Sequence, residues 1–284
     1  PLFTSKRTAH NTTRLKDRLY VNLNYRFKDS TVSNSPKPGY KYMEPGLYMF
    51  PAYQDTIRSC ILHSPLNPKK EYAYSDLGFI LLKFAVEHVT EKSLDQYCQE
   101  EFYRKLGMHH TDFLAHKRLN KNNLVPSCVD KLYRKTELKG YVHDPVAALL
   151  GGIAGHAGLF STAEDLAKMM QLYLNGGTYG GEYYFSPETM ATFSCKNNLF
   201  PKNRRGLGFD KPEPDQTKIN PVSKCLPLTS FGHTGFTGIM AWCDPDNKLL
   251  YLFLSNRTYP DEFNTKLSEM NIRTQIQDII YQAL

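Results

Sequence analysis

The chain has 284 residues and a mass of 32.6 kDa, with 41% hydrophobic and 22% charged residues. A chain of this length buries roughly three quarters of the surface that it exposes when unfolded, so its core requires neither disulfides nor a metal. The composition excludes disordered, collagen-like and coiled-coil proteins. The longest apolar run, residues 79–86, contains Lys83 and is far shorter than the ~20 residues of a membrane helix, so no membrane span is expected.

The net charge of +7 is concentrated at the beginning of the chain. Residues 1–40 hold eight Lys and Arg against two Asp, and the rest of the chain is close to neutral. A nucleic-acid-binding protein needs a clustered basic face on its folded body. No nucleic-acid partner is therefore expected. The sequence predicts an irregular basic leading segment over residues 1–40 and a separate domain over residues 41–284.

The first clear helical pattern follows a long aperiodic region. Residues 1–70 are rich in Pro, Asn, Ser and Tyr with little periodicity, which predicts irregular, extended structure. After Asp76 the apolar residues recur at helical spacing, which predicts a helix from about residue 76 to residue 90. The Asp76 carboxylate is expected to accept hydrogen bonds from the N–H groups of the first turn.

Two further helices carry start and stop signals. Ser93 with Gln96 three residues later is typical of a capping box, and Gly107 is expected to end the helix that begins there. Ser161 with Glu164 repeats the box, and the glycines at 176–177 end an amphipathic third helix.

The C-terminal part of the sequence predicts a hairpin followed by a helix. Residues 238–242 and 249–254 are short runs rich in apolar residues, separated by a turn over residues 244–248 that contains proline. Apolar residues over 272–284 lie on one helical face, and the hairpin sheet is their expected partner. Helices in the middle with a hairpin and helix at the end indicate an α+β fold.

Several common catalytic motifs are absent from the sequence. It contains no G-x-G-x-x-G, G-x-x-x-x-G-K-[ST], H-E-x-x-H or G-x-S-x-G. The glycine-rich segment at residues 151–158 could hold a phosphate, but tight backbone packing beside a site is favoured. His109, His110, Asp112 and His116 form a group of possible ligands, although adjacent histidines are usually surface residues, so neither a metal nor a cofactor is expected.

Two short motifs form the strongest functional pattern. Tyr-Ser-Asp at residues 74–76 heads the first predicted helix, and Phe-Gly-His-Thr-Gly-Phe-Thr-Gly at residues 231–238 opens the hairpin. With the segment at residues 142–161, these motifs resemble the serine β-lactamase and penicillin-binding superfamily. The resemblance is closest to class-C-type β-lactamases, D-alanyl-D-alanine peptidases and related esterases, and it covers residues 40–284 in order.

The resemblance implies a β-lactamase/transpeptidase-like fold, in which an antiparallel sheet is flanked by helices and joined by a helical lobe. An acyl-transfer site needs a nucleophile, a base and donors for the oxyanion. The resemblance assigns the base to Tyr74 and one oxyanion donor to the backbone N–H of Phe236. The implied catalytic residues are Tyr74, Asp76 and His233, and the implied substrate-binding residues are Thr234, Gly235 and Phe236.

This sequence departs from the pattern of that superfamily at three points. It contains no Ser-x-x-Lys, the motif that supplies the nucleophile there, and residues 13–16, Thr-Arg-Leu-Lys, have only the spacing. The nucleophile and the N-terminal part of the fold are therefore expected upstream of Pro1, and this portion is expected to be inactive alone. Asp76 replaces an Asn and His233 replaces a Lys, which disfavours β-lactamase action and favours a peptidase or esterase substrate.

Other readings remain open from the sequence. A non-catalytic peptidoglycan- or penicillin-binding module would also lack Ser-x-x-Lys. The region before Tyr74 resembles the Bacteroidetes form of this domain that is fused to a family-3 glycoside hydrolase, which implies a periplasmic or other extracytoplasmic location and a small-molecule or peptidoglycan-like substrate. Without the early strands of the fold, exposed sheet edges are expected to allow self-association.

Overall fold

The computed structural model describes residues 12–16, 19–22, 27–66, 68, 71–200 and 203–284, the first two ranges as backbone only. The strands are β1 (Thr12–Lys16), β2 (Leu19–Asn22), β3 (Val32–Ser33), β4 (Lys41–Glu44), β5 (Leu47–Met49), β6 (Pro126–Asp130), β7 (Thr136–Lys139), β8 (Thr178–Tyr179), β9 (Glu182–Tyr183), β10 (Phe231–Thr234), β11 (Met240–Asp244) and β12 (Leu249–Phe253). The helices are α1 (Tyr53–Leu62), α2 (Leu77–Thr90), α3 (Leu94–Cys98), α4 (Ala115–Arg118), α5 (Pro145–Leu149), α6 (Ala163–Leu174), α7 (Pro187–Ser194), α8 (Lys266–Glu269) and α9 (Ile272–Ala283).

The sheet that carries the His-Thr-Gly motif has the strand order β10-β11-β12, and both pairs are antiparallel. Alternate residues of β11 point to opposite faces, as the strand period of two requires. Met240 and Trp242 pack with Ile280 of α9. Cys243, on the opposite face, packs with Met170 of α6. The predicted hairpin and the packing of the C-terminal helix on it are confirmed, as is the α+β fold.

The predicted helices are present, with differences at their first residues. The Asp76 side chain makes no capping hydrogen bond to α2; instead the Ser75 hydroxyl accepts from the Leu77 N–H at 3.2 Å. α6 is capped by Thr162, one residue after the predicted cap, and the displaced Ser161 hydroxyl lies 2.8 Å from that of Thr111. The helix therefore begins one residue later than predicted, because the Ser161 hydroxyl contacts the buried Thr111 and Thr162 caps the helix instead.

The second predicted helix is confirmed but is not a uniform α-helix. α3 continues into a π-helical turn, Gln99–Tyr103, before the chain reaches Gly107. Gly107 has a φ of +66°, the left-handed conformation in which glycine ends helices without strain.

The prediction of irregular structure over residues 1–70 is wrong for its later part. β3, β4 and β5 form a three-stranded sheet, and α1 follows them. Tyr53, Ile57 and Ile61 of α1 pack against the core beneath it, and no residue of this helix is fully buried. A stripe of three partly buried residues gives only a weak periodic signal. The predicted leading segment at residues 1–40 lies partly outside the described residues, and its boundary stays a prediction.

The glycine-rich segment at residues 151–158 packs its backbone tightly, as predicted. A Cβ atom at Gly155 would lie 2.2 Å from the carbonyl oxygen of Phe79 in the first turn of α2. A Cβ atom at Gly158 would lie 2.4 Å from the carbonyl oxygen of Gly152. Glycine is required at both positions because a side chain would collide with backbone, and at Gly155 this allows the segment to pack directly against the first turn of α2.

Candidate active site

Tyr74 and His233 lie next to each other although 158 residues separate them in the chain. Tyr74 precedes α2 and His233 lies on β10, and the centroids of their rings are 6.2 Å apart. Position 232 of the same strand requires a glycine because a Cβ there would lie 2.2 Å from the Ala241 carbonyl oxygen of the paired strand β11. The structure thus brings together the two motifs of the sequence.

Arg205 is the third member of this group. Its guanidinium carbon lies 4.7 Å from the centre of the Tyr74 ring, a cation–π contact. Its Nη1 atom is 2.9 Å from Nε2 of His233. One cation therefore contacts both predicted site residues.

Asp210 holds Arg205 in this position. Its Oδ2 atom accepts from Nη2 of Arg205 at 2.9 Å and from Nη2 of Arg204 at 2.8 Å. The Asp210 backbone exchanges two hydrogen bonds with Gly232, at 2.7 and 3.1 Å. Asp210 is only 2% exposed, so the charge-assisted bonds that it accepts are largely shielded from water. The loop that carries Arg205 is thus fastened directly to β10.

The loop after β10 is built as a tight turn that exposes Phe236. The Gly235 N–H donates to the Ile239 carbonyl at 2.8 Å, and the Gly238 N–H donates to the Gly235 carbonyl at 3.0 Å. The Phe236 side chain is 63% exposed. Thr234, the last residue of β10, is half-buried and pairs with Met240. The predicted substrate-binding residues 234–236 therefore form one continuous edge beside His233.

The exposed Phe236 ring is held between two other side chains. The His143 ring stacks on it at 5.0 Å between centroids, and the Arg257 guanidinium lies 4.3 Å from its centre. Glu262 joins both partners, since its carboxylate is 3.0 Å from Nε2 of His143 and its carbonyl accepts from Arg257 at 3.2 Å. These contacts fix the loop whose backbone N–H is the predicted oxyanion donor.

The phenol of Tyr74 is not activated within this chain. Partial burial, followed by the negative charge of Asp76, raises the pKa of Tyr74 above its ordinary value, and the charge of Arg205 opposes this only in part. A raised pKa makes tyrosinate scarcer at neutral pH than it is for an ordinary phenol. A further cation is needed before Tyr74 could accept a proton readily at neutral pH.

The histidine-rich group predicted as a weak metal candidate is dispersed over separate partners. The His110 N–H donates to Asp165 at 2.7 Å, whereas His116 stacks on Tyr141 at 4.1 Å. Asp112 is paired with Arg118 at 3.0 Å. Across the described residues, no three His, Cys, Asp or Glu side chains group as metal ligands.

Arg205 and Asp210 are site residues that the sequence did not predict. Both lie in the aperiodic stretch between α7 and β10, where neither helix nor strand spacing points to a site. The available signal is the local composition Arg-Arg-Gly at residues 204–206. A Cβ atom at Gly206 would lie 2.3 Å from the Phe193 carbonyl oxygen at the end of α7, so this glycine marks a point where the loop is pressed against a helix.

Comparison with known proteins identifies the family. The Beta-lactamase family matches residues 33–271, most of the chain. The chain belongs to this family. Its fold is accordingly that of the β-lactamases and penicillin-binding proteins, with mixed helices and antiparallel sheets.

The curated relatives are named for a peptidase. A protein of Escherichia coli (strain K12), named "Putative D-alanyl-D-alanine carboxypeptidase", is 35% identical over 213 residues, which are 70% of this chain and 48% of the relative. A protein of Salmonella gallinarum with the same name is 31% identical over 242 residues, covering 78% of this chain and 54% of the relative. The chain thus spans about half the length of these relatives.

Solved structures support the fold. A simvastatin synthase from Aspergillus terreus is 18% identical with a TM-score of 0.52, and the match covers 83% of this chain and 62% of that one. A β-lactamase from Mycobacterium bovis is 20% identical with a TM-score of 0.50, covering 77% of this chain and 66% of that one. At these identities the likeness concerns the fold alone. Among the helices that the structure describes, none has the length and apolarity needed to cross a membrane.

Proposed function

We propose that this chain carries the base and the substrate-binding edge of a serine-hydrolase site of the D-alanyl-D-alanine carboxypeptidase type. The observation that carries the proposal is the contact of Tyr74 and Arg205 with His233, at the start of the 234–236 edge. The names of the curated relatives support the substrate class. Since the 284 residues contain no Ser-x-x-Lys, the nucleophile of this site would come from a segment outside them.

Each residue would have a distinct part in acyl transfer. Tyr74 would accept the proton of the nucleophile once a cation from outside this chain lowers its pKa. The Phe236 N–H would donate to the developing oxyanion, and the 234–235 backbone would lie along the substrate. The carboxylate of Asp76 would place a negative charge beside the base, Tyr74. His233 would lie beside the substrate edge rather than bind a carboxylate, because an imidazole lacks the permanent charge of lysine.

The proposed peptidoglycan-like substrate implies where the protein is located. A substrate that ends in D-alanyl-D-alanine belongs to cell-wall material, so the proposal implies a periplasmic or other extracytoplasmic protein. A family-3 glycoside hydrolase fused to this domain would act on the same material.

A second candidate function is a non-catalytic module that binds peptidoglycan peptides or penicillins. The absence of Ser-x-x-Lys from the sequence favours it. The two candidates share the binding edge and differ only in whether a nucleophile is delivered to it. They are separated by acylation of a longer chain that extends upstream of Pro1: a covalent adduct there indicates the hydrolase, and binding without an adduct indicates the module.

Binding is tested first, on the chain as it exists. We expect a short acylated peptide ending in D-Ala-D-Ala to bind in isothermal titration calorimetry, and the same peptide ending in L-Ala-L-Ala not to bind. Thr234→Val should weaken binding because the hydroxyl lies on the substrate edge, whereas Tyr74→Phe should leave it unchanged because a base is not needed to bind. Equal affinity for both peptides would refute the proposed site.

Covalent chemistry is tested separately. A serine protease without its nucleophile still accelerates hydrolysis about 10³- to 10⁴-fold over the reaction in water, but it forms no covalent adduct. We therefore expect no mass gain after incubation with a chromogenic cephalosporin at neutral pH. A stoichiometric adduct, for example on Ser75 or Ser161, would place the nucleophile inside these 284 residues and overturn this part of the proposal.

A further inference from the structure

The contacts of His233 define where its proton lies. Nε2 is 2.9 Å from Nη1 of Arg205, and a guanidinium can only donate, so Nε2 must be the unprotonated acceptor. Nδ1 is 2.8 Å from the carbonyl oxygen of Thr234, and a carbonyl can only accept, so Nδ1 must carry the proton. Both contacts require the same neutral tautomer. The other neutral tautomer, like the imidazolium, would set an N–H of His233 against an N–H of Arg205.

We propose that Arg205 is a positioning residue: it fixes His233 as the neutral Nδ1–H tautomer and holds a positive charge over the Tyr74 ring. Its role in a reaction rests on the proposed function, whereas the tautomer itself does not. Arg205 is suited to this role because two other hydrogen bonds hold it in position. Its side chain donates to Asp210 at 2.9 Å, and its carbonyl accepts from the Asn197 N–H at 2.8 Å.

This arrangement changes what the His-Thr-Gly motif offers a substrate. With Nε2 filled by Arg205 and Nδ1 bonded to the Thr234 carbonyl, His233 has no free proton to donate. Substrate recognition then falls to the Thr234 hydroxyl and the loop backbone. His233 stands in the motif in place of a lysine, and it is neutral in this arrangement. The positive charge is supplied instead by Arg205, in the loop after α7.

A purely structural role is the alternative, in which Arg205 only ties its loop to β10. Arg204 provides a matched control for it. Arg204 donates to the same Asp210 oxygen at 2.8 Å, and its Nε donates to the Lys211 carbonyl at 3.0 Å. Loss of Arg204 therefore removes a comparable tie between the same loop and the same carboxylate, but it leaves the donor to Nε2 of His233 in place.

The test is nitrogen NMR of ¹⁵N-histidine-labelled protein at about pH 8.5, where an ordinary imidazole is neutral, with the His233 signals assigned from His233→Gln. We expect protonated Nδ1 and unprotonated Nε2 in the wild type and in Arg204→Met. In Arg205→Met the Nε2-protonated form should become a major species, and Arg205→Lys, which keeps a donor and a charge, should restore the original pattern at least partly.

Three outcomes would overturn the proposal: protonated Nε2 in the wild type, an unchanged tautomer in Arg205→Met, or the same change in Arg204→Met. The wild-type spectrum decides the first even if a variant does not fold. The peptide titration above is independent of this test. If the peptide does not bind but His233 is the Nδ1–H tautomer, the proposed function is refuted and the role of Arg205 stands. If the peptide binds but the tautomer differs, the role of Arg205 is refuted and the proposed function stands.

Discussion

The two sides of the candidate site differ in how they are supported. On the β10 side, the buried Asp210 carboxylate accepts hydrogen bonds from two arginines, and the neighbouring Lys211 ammonium donates to three backbone carbonyls. On the α2 side, most residues of the helix are apolar, yet Leu82 is 58% and Val89 80% exposed. Apolar residues of a helix normally face a partner. The substrate edge is therefore supported by this chain itself, whereas no part of the chain that the structure describes covers these residues of the helix that follows the base.

The uncovered surface continues beyond α2. A groove of about 640 Å³ runs beside its first turn, lined by apolar side chains that include Tyr53, Ile57 and Ile61 of α1 and Leu77 of α2. Surfaces of this kind mark contacts with further protein.

The largest expected effect contrasts the cores of the two sides. Trp242 is 1% exposed between the sheet and α9, and Trp242→Ala should lower the free energy of unfolding by about 3–5 kcal/mol through the cavity that it leaves. Leu82→Ala on α2 should change it by no more than about 0.5 kcal/mol, since the side chain is already in water. Urea unfolding measures both, on protein dilute enough that it does not self-associate. Equal losses would mean that α2 is covered in solution, for example by a second copy.

A smaller effect is expected from the polar support of β10. Asp210→Ala removes the shared acceptor of two half-buried arginines, and should cost about 3 kcal/mol of stability, near the lower end for breaking a buried ion pair. The matched control is Asp29→Ala, which removes an exposed carboxylate paired with Lys37 and should leave the melting temperature unchanged. If the two variants melt alike, Asp210 does not support the strand.

The same contrast explains what the sequence could predict. The C-terminal hairpin and α9 were predictable because their apolar residues follow strand and helix periods and have partners within this chain. The pairing of Tyr74 with His233 was predictable only through the family resemblance, because no local pattern links residues 159 positions apart. α1 was missed because it buries too little of its surface to leave a periodic signal.

The part of the site that the sequence did not predict is polar and depends on tertiary structure. Arg205 and Asp210 become significant only when the loop after α7 is folded against β10, and single charged residues in a loop are ordinarily solvated. The cap of α6 was predicted one residue too early, and Asp76 occupies the cap position of α2 without the predicted side-chain hydrogen bond. Several hydroxyl or carboxylate side chains lie within one residue of each helix start, and at α6 a tertiary partner of Ser161 leaves Thr162 to bond to the backbone.

Self-association is expected to follow from the uncovered side. The sequence predicted it through exposed sheet edges, and among the described strands none pairs with the outer edge of β12. The apolar surface of α2 adds a second route. Light scattering at tens of micromolar should detect dimers or larger species, and a Leu82→Lys, Val89→Lys double variant should reduce them. A monomer with a cooperative melt would contradict the prediction, and unchanged association in the double variant would assign it to the strand edges.

The smallest expected effect concerns the titration of Tyr74 and compares its two charged neighbours. Asp76 raises the pKa of the phenol because a nearby negative charge disfavours tyrosinate, and Arg205 lowers it because a positive charge favours tyrosinate. Asp76→Asn should therefore lower the pKa of Tyr74, and Arg205→Met should raise it. The measurement is carbon NMR of ring-labelled tyrosine across the alkaline range, with the Tyr74 signal assigned from Tyr74→Phe. Movement in the same direction in both variants would indicate that the substitutions changed the burial of Tyr74 rather than its electrostatic surroundings.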